Sequence, residues 1–189
     1  MFENIKNAIR ILKEKPIDYF VHESSYIDEY AVIGTGTKIW HFTHVMSGAK
    51  IGYNCTIGQG VFIGDNVVIG DNVKIQNNVS LCEGIIVQDD VFIGANATFI
   101  NVGNPRANIP RKNEIKTTLL KKGCSIGANS TIIAGTTIGD YSMVTAGSVV
   151  TKNVDTQTVV DGNPAIFKWM VCKCGKSFGT HYVICNNCK

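Results

Sequence analysis

What this sequence lacks narrows it first. Its 189 residues hold no apolar stretch of about 18, the length a membrane-spanning helix needs, so no membrane span is expected. The opening residues, MFENIKNAIRILKEKP, show no long apolar run followed by small residues, so a signal peptide is not expected. Charge is scarce: 17% of residues are charged, the formal net charge is +3, and the basic residues form no long run. A nucleic-acid partner is therefore not expected, whereas an anionic small molecule remains open to individual basic side chains. Only four histidines are present, and of these only His41 and His44 fall in the middle of the chain. A catalytic metal held by three converging imidazoles is therefore not expected. Cysteine is present but in odd number, seven, which does not suit a secreted disulfide framework and points to a cytoplasmic protein. What remains is a chain that is 44% hydrophobic, with 19 glycines and 4 prolines, a globular balance.

What is there is a period of six. "IGDNVVIGDNVKIQNNVS", Ile63 to Ser80, states one phrase three times. Every sixth residue from Ile27 is a large apolar one: Ile27, Ile33, Ile39, Val45, Ile51, Ile57, Ile63, Ile69, Ile75, Leu81, Val87, Ile93 and Phe99. Four residues after each stands a small or β-branched one, as at Thr37, Thr43, Ala49, Cys55, Val61 and Val67. Six fits neither the 3.6 of a helix nor the 2 of a simple strand. It predicts an all-β parallel β-helix of hexapeptide repeats, in which three hexads make one triangular coil of about 18 residues. Successive coils then lie about 4.8 Å apart, and the core exists only through stacking. No outward column forms a regular threonine ladder, so a passive prism with one flat recognition face is not expected.

The phase breaks after Phe99. Residues 100–118 are aperiodic, with two prolines and four basic residues, and the count resumes at Leu120, Ile126, Ile132, Ile138, Val144 and Val150. An extruded loop of this length is usually functional. Ahead of the repeats, Phe2, Ile5, Ile9 and Leu12 fall at helical spacing and Pro16 ends the pattern, which predicts a capping helix over 1–16. The organisation expected is that helix, a β-helix domain over 17–165 with its loop at 100–118, and a cysteine-rich tail over 166–189.

Stacking by 18 also joins distant motifs. His41, Gln59 and Asn77 come into one vertical file, and Phe42, Gly60, Asn78 and Asn96 into the next, so "IWHFTHV", "IGQGVFI" and "IQNNVSL" build one polar strip along an edge. Stacked amides also occur as plain ladders. The His, Phe and Trp in the same strip argue for a binding surface. His44, just before the inward Val45, falls outside the strip. Flat sides with small residues pack well about a threefold axis, so a homotrimer with sites shared between chains is expected.

Over roughly Tyr26 to Met170 the sequence resembles the left-handed β-helix, hexapeptide-repeat acyltransferases. The handedness is an implication of that resemblance. "IWHFTHV", "GQGVFIG", "KIQNNVS", "NVGNPRA" followed by "RK", and "GNPA" followed by Trp169 resemble the N-acetyltransferases of nucleotide-linked 3-amino sugars. Within them the resemblance is to the UDP-2-acetamido-3-amino-2,3-dideoxy-glucuronate N-acetyltransferases of surface-polysaccharide (lipopolysaccharide, O-antigen) biosynthesis. A neighbouring group acts on dTDP-3-amino-3,6-dideoxyhexoses. The resemblance implies acetyl-CoA as co-substrate and attack of a sugar amine on its thioester. Asn78, with Asn77 as second choice, would hold the amine, and His41 would act either as general base or as a positioning group. Phe42, Gln59 and Gly60 would line the acceptor site. Asn104, Arg106 and Arg111 of the loop would clamp the sugar nucleotide, an arginine pairing with a hexuronate carboxylate or the diphosphate. Acetyl-CoA would run past Ala128, Ala134, Ala146 and Gly147 towards Asn163, Pro164 and Lys168. Acylation of a hydroxyl instead of an amine remains an alternative.

The tail carries Cys172-x-Cys174 and Cys185-x-x-Cys188 with ten residues between the pairs. Four thiolates so spaced suit a closed, structural Zn2+ site, with His181 as a possible substitute ligand. A redox pair or an unstructured tail is the alternative. Cys55 and Cys124 belong to the small inward column and are expected to be inert.

Overall fold

The computed structural model describes residues 18–180 together with Cys185 and Cys188. The expected helix over 1–16 and His181 lie outside the described residues. The described chain is a parallel β-solenoid of about eight coils. Each coil contributes one short strand to each of three sheets, and those sheets are the three faces of a prism. The first face begins at Phe20–Val21 and climbs to Thr158–Asp161; the second runs from Tyr26–Ile27 to Val149–Val150; the third runs from Val32–Ile33 to Thr137–Ile138. Pairing is parallel with partners 18 residues apart, as in Lys38↔Thr56, His44↔Phe62 and Lys50↔Val68. The hexad count thus becomes a physical register.

The inward columns are those the period marks. Ile39, Ile57, Ile75, Ile93 and Ile126 stack fully buried behind the first face, and Val45, Ile63, Leu81, Phe99 and Ile132 behind the second. Ile27 and Ile33, in the lowest coils, are only partly buried against this core. Each such side chain removes enough apolar surface from water to contribute roughly 1.5–3 kcal/mol. The small column turns inward at the edges, and its polar members find partners there. Thr37 Oγ1 donates to Gly52 O at 2.8 Å, Thr43 Oγ1 to Gly58 O at 3.0 Å, and Ser130 Oγ to Thr145 O at 3.0 Å. A hydroxyl can occupy the core because a carbonyl at the same edge accepts it. Packing of coil on coil also explains the glycine that follows many inward aliphatics: a Cβ on Gly127 would sit 2.4 Å from the Ala146 backbone nitrogen.

Two departures interrupt the 18-residue coil. Across the loop, partners stand 33 residues apart, as in Thr98↔Thr131, so 15 extra residues leave the solenoid between strands Thr98–Phe99 and Thr118–Leu120. They emerge at the edge between the second and third faces and contain one turn of 3-10 helix, Lys112–Glu114. The last coil is shorter, with Met143 paired to Val159. Strand Ile166–Val171 then folds back antiparallel on Thr158–Asp161, and Ser177–Phe178 adds a further antiparallel strand. Among the described residues no helix is long and apolar enough to cross a membrane.

Candidate active site

The edge between the first and second faces gathers most of the residues singled out from the sequence. Each coil turns this corner through four residues: Trp40–Thr43, then Gly58–Val61, Gln76–Val79, Gly94–Ala97, Gly127–Ser130, Thr145–Ser148 and Asp161–Pro164. The stacking is explicit in the backbone. Gly60 N donates to His41 O at 2.9 Å, Asn78 N to Gln59 O at 2.8 Å, Asn96 N to Asn77 O at 3.0 Å, Asn129 N to Ala95 O at 2.9 Å and Gly147 N to Ala128 O at 2.8 Å. His41, Gln59, Asn77, Ala95, Ala128 and Ala146 therefore form one file, and Phe42, Gly60, Asn78, Asn96, Asn129 and Gly147 the next. The second file occupies the left-handed turn position, with φ of 56° at Phe42, 59° at Asn78 and 58° at Asn96. Asn adopts that conformation readily and Phe does not. A bulky aromatic held there and 67% exposed to solvent is a feature expected of a binding surface.

The two central carboxamides are used differently. Asn77 Oδ1 accepts the Gln59 backbone N–H at 3.0 Å, so its carbonyl is committed to the ladder. Asn78 Nδ2 donates to Asn96 Oδ1 at 3.3 Å, and among the described residues no group donates to Asn78 Oδ1. That oxygen lies above Gly60, where a Cβ would come within 2.6 Å of it. The absent side chain makes its room. His41 lies two coils below, about 10 Å along the axis at the strand spacing. Its ring stacks on His22 at 3.5 Å between centroids and lies parallel to Trp40 at 6.4 Å.

Higher on the same edge the side chains become small. Ala146 and Gly147 are exposed, and nothing lies within 4 Å of a Cβ built on Gly147. Asn163 and Pro164, joined by a cis peptide bond, close the edge. Thr145 donates a very short hydrogen bond to Asp161, and Lys168 Nζ stands 3.5 Å from the same carboxylate. These contacts, the hydroxyl foremost and the lysine next, hold the Asp161 carboxyl below its ordinary value. Lys168, expected to lie along the path of acetyl-CoA, is thus already beside an acid.

One expectation is displaced, and two further groups lie off this edge. Ala134 does not share the edge of Ala128 and Ala146; it turns the corner between the second and third faces, where Gly135 packs on the Lys116 side chain. Asn104, Arg106 and Arg111 belong to the loop that leaves from that second edge, so one chain does not bring them to the His41–Asn78 strip. There Arg106 and Arg111 line a cleft of about 390 Å³ with Glu83, Asn101 and Lys112. Arg111 Nη1 is paired with Glu114 Oε1 at 2.6 Å, while its buried Nε has no partner among the described residues. His44, half-exposed on the second face, holds Asp28 Oδ1 at 2.8 Å and lies edge-on between Tyr26 and Phe62.

Sequence reasoning missed His22 and the serines beside it. Ser24 Oγ accepts the Phe42 backbone N–H at 3.1 Å and Ser25 Oγ accepts that of Thr43 at 3.1 Å, which fixes the turn carrying His41. Their position 18 residues earlier was the available signal, although they precede the first full hexad. In the tail, the Sγ atoms of Cys172, Cys174, Cys185 and Cys188 all lie within 4.8 Å of one another, a group able to hold a metal ion. Cys172 and Cys188 share a hydrogen bond between their sulfurs, which pulls Cys172 down to about 7 and pushes Cys188 up to about 12.

Family comparison agrees with this architecture. The model for bacterial transferase hexapeptide (six repeats) matches residues 21–65, 66–101 and 117–152, and that for the hexapeptide repeat of succinyl-transferase matches 48–83. A dTDP-3-amino-3,6-dideoxy-alpha-D-galactopyranose 3-N-acetyltransferase from Aneurinibacillus thermoaerophilus is 45% identical over 155 residues, which are 82% of this chain and 80% of that protein. Among solved structures, a mutant GDP-perosamine N-acetyltransferase from Caulobacter crescentus, in complex with CoA and GDP-perosamine, superposes with a TM-score of 0.53 at 17% identity. The match covers 86% of this chain and 63% of that one. A mutant of the N-acyltransferase AntD from Bacillus cereus, in complex with dTDP and coenzyme A, gives 0.53 at 19% identity over 85% and 88% of the two chains. At those identities the structural likeness is one of fold.

Proposed function

The chain belongs to the bacterial hexapeptide-repeat transferases, and from that membership we propose that it is an acetyl-CoA-dependent N-acetyltransferase acting on the 3-amino group of a dTDP-linked 3-amino-3,6-dideoxyhexose. The observation that carries this reading is Asn78. Its carbonyl oxygen is unclaimed, projects over Gly60, and is oriented through its amide nitrogen by Asn96. A carboxamide oxygen accepts a hydrogen bond from a neutral amine and cannot store its proton, so it orients the nitrogen lone pair without quenching it. Orientation of this kind is worth several kcal/mol of the barrier.

In the reaction the amine nitrogen attacks the thioester carbonyl carbon, the C–S bond breaks, and the thiolate leaves with the proton the nitrogen gives up. Backbone N–H groups of the edge meet the oxyanion. The commitment of Asn77 to Gln59 favours Asn78 as the amine ligand. The two-coil separation of His41 from Asn78 favours a positioning role for His41, since one amine cannot touch both. Acetyl-CoA runs up the same edge, where Ala128, Ala146 and Gly147 leave the backbone open to an amide-bearing chain. Flat faces about a threefold axis bring the loop of one chain, with Asn104 and Arg106, towards the strip of the next. The reading includes a cytoplasmic reaction whose product is a building block for a surface polysaccharide.

The UDP-linked hexuronate gives way to the dTDP sugar for two reasons. The 45% identical relative is named for a dTDP-linked 3-amino sugar. Arg111, one of the two arginines that could meet a C6 carboxylate, already holds Glu114. A CoA-release assay over dTDP- and UDP-linked 3-amino sugars, with and without that carboxylate, tests the choice. Turnover confined to the dTDP-amino sugars is expected. Preference for the UDP-hexuronate would restore the earlier reading, and turnover of a hydroxyl sugar would replace amine by hydroxyl acylation.

A further inference from the structure

We propose that Cys172, Cys174, Cys185 and Cys188 bind one structural zinc ion, and that this ion clasps the C-terminal hairpin onto the last coil. The ligands come as two pairs, each close in sequence. Cys172 and Cys174 lie in the turn between strands Ile166–Val171 and Ser177–Phe178, closed by Gly175 N to Cys172 O at 2.8 Å and Cys172 N to Lys176 O at 2.9 Å. Cys188 N donates to Cys185 O at 3.1 Å. The two pairs face each other, with Cys172 Sγ 3.0 Å from Cys188 Sγ and Cys174 Sγ 3.6 Å from Cys185 Sγ. Four sulfurs about 2.3 Å from a zinc stand about 3.8 Å apart, and all four here lie within 4.8 Å of one another without forming a disulfide.

Four thiolates around Zn2+ leave two negative charges. Lys173 and Lys176, on the same turn, offset them, and Lys173 also reaches over the Tyr141 ring at 5.2 Å. The clasp matters because strand Ser177–Phe178, at the edge of its sheet, pairs among the described residues only with Ile166–Val171. Residues Ile166 to Trp169 are all exposed, and Val171 and Cys172 are the first buried positions after Val160 on that path. Val171 N donates to Gln157 O at 2.8 Å, so the cluster sits where the returning strand meets the last coil. All four ligand positions are protein-supplied, which makes the site closed and structural. It stands apart from the acetyl-transfer edge, so the zinc assignment and the acetyltransferase reading fail or survive separately.

The test is elemental analysis of the full chain purified under reducing conditions without added metal. One zinc per chain is expected, released by a thiol-directed mercurial in step with four thiols, and lost to background in Cys174→Ser and Cys188→Ser but kept in Cys82→Ser. Chelation of the unaltered chain should open residues 166–176 to protease while the solenoid's circular dichroism is unchanged, a readout that does not depend on a variant folding. Iron in place of zinc, two disulfides, four free thiols without metal, or zinc retained in both cysteine variants would overturn the proposal.

Discussion

Single residues on the first edge carry opposing demands of backbone and side chain. Gly60 must be small for two reasons: its φ of 67° disfavours a side chain, and a Cβ would press on Asn78 Oδ1. Gly60→Ala is expected to cost about 1–2 kcal/mol of stability and to lower kcat/KM at least tenfold through the displaced carboxamide. Asn78→Gly separates the two effects. It keeps the left-handed turn and removes the amide, so thermal unfolding should move little while kcat/KM falls by roughly two orders of magnitude. An unchanged kcat/KM in that variant would remove Asn78 from the site. His41→Asn should cost about tenfold, felt mostly in KM; near-total loss of kcat would mark His41 as an obligatory base and point to a hydroxyl acceptor. Buried cysteine sets a different, pH-dependent expectation. Burial pushes the Cys124 thiol from 9.0 up to about 12. Below pH 9 both folded and unfolded chains keep the proton and the stability is intact. Between pH 9 and 12 the unfolded chain releases it and the folded chain does not, so stability falls by roughly 1.4 kcal/mol per pH unit. Urea midpoints measured across that range should fall less steeply in Cys124→Ala.

At the scale of elements, the loop is an addition to a register that continues without it. Thr98 pairs with Thr131 and Phe99 with Ile132 across the insertion, as neighbouring coils pair elsewhere. Replacing residues 102–116 by a short turn is expected to leave the β-sheet circular dichroism intact and shift the melting temperature by only a few degrees, because loop length costs little stability. The same variant should lose most of its affinity for the sugar nucleotide. The coils were legible because one inward aliphatic every six residues leaves no other period. The polar strip was legible for the same reason, since residues 18 apart in an unbroken solenoid must stack. The errors have equally physical sources. Ala134 was grouped with Ala128 by a shared small-residue phrase, yet six residues advance the chain by one whole face, and 18 return it to the same edge. The pairing of Arg111 with Glu114 within the loop obeys no repeat and could not be read from spacing. His22 escaped because it precedes the first complete hexad, although the coil beneath His41 must be built from those residues.

At the scale of the whole molecule, the three faces are not equivalent. The first and third carry lysines at Lys38, Lys74 and Lys50, and the second carries Tyr26, His44 and Phe62. A homotrimer that places the loop of one chain beside the first edge of another would complete a site that one chain leaves in two parts. Light scattering should then give about three times the 20.5 kDa of the chain. The central claim is that the edge of His41, Gln59, Asn78 and Gly147 is where amine and thioester meet. A crystal structure with CoA and a dTDP-linked 3-amino sugar tests it most directly. The account predicts the sugar nitrogen within hydrogen-bond distance of Asn78 Oδ1 and the CoA sulfur on the same edge. A sugar nitrogen seated instead at the edge of Ala134, away from any Asn78 in the assembly, would contradict it.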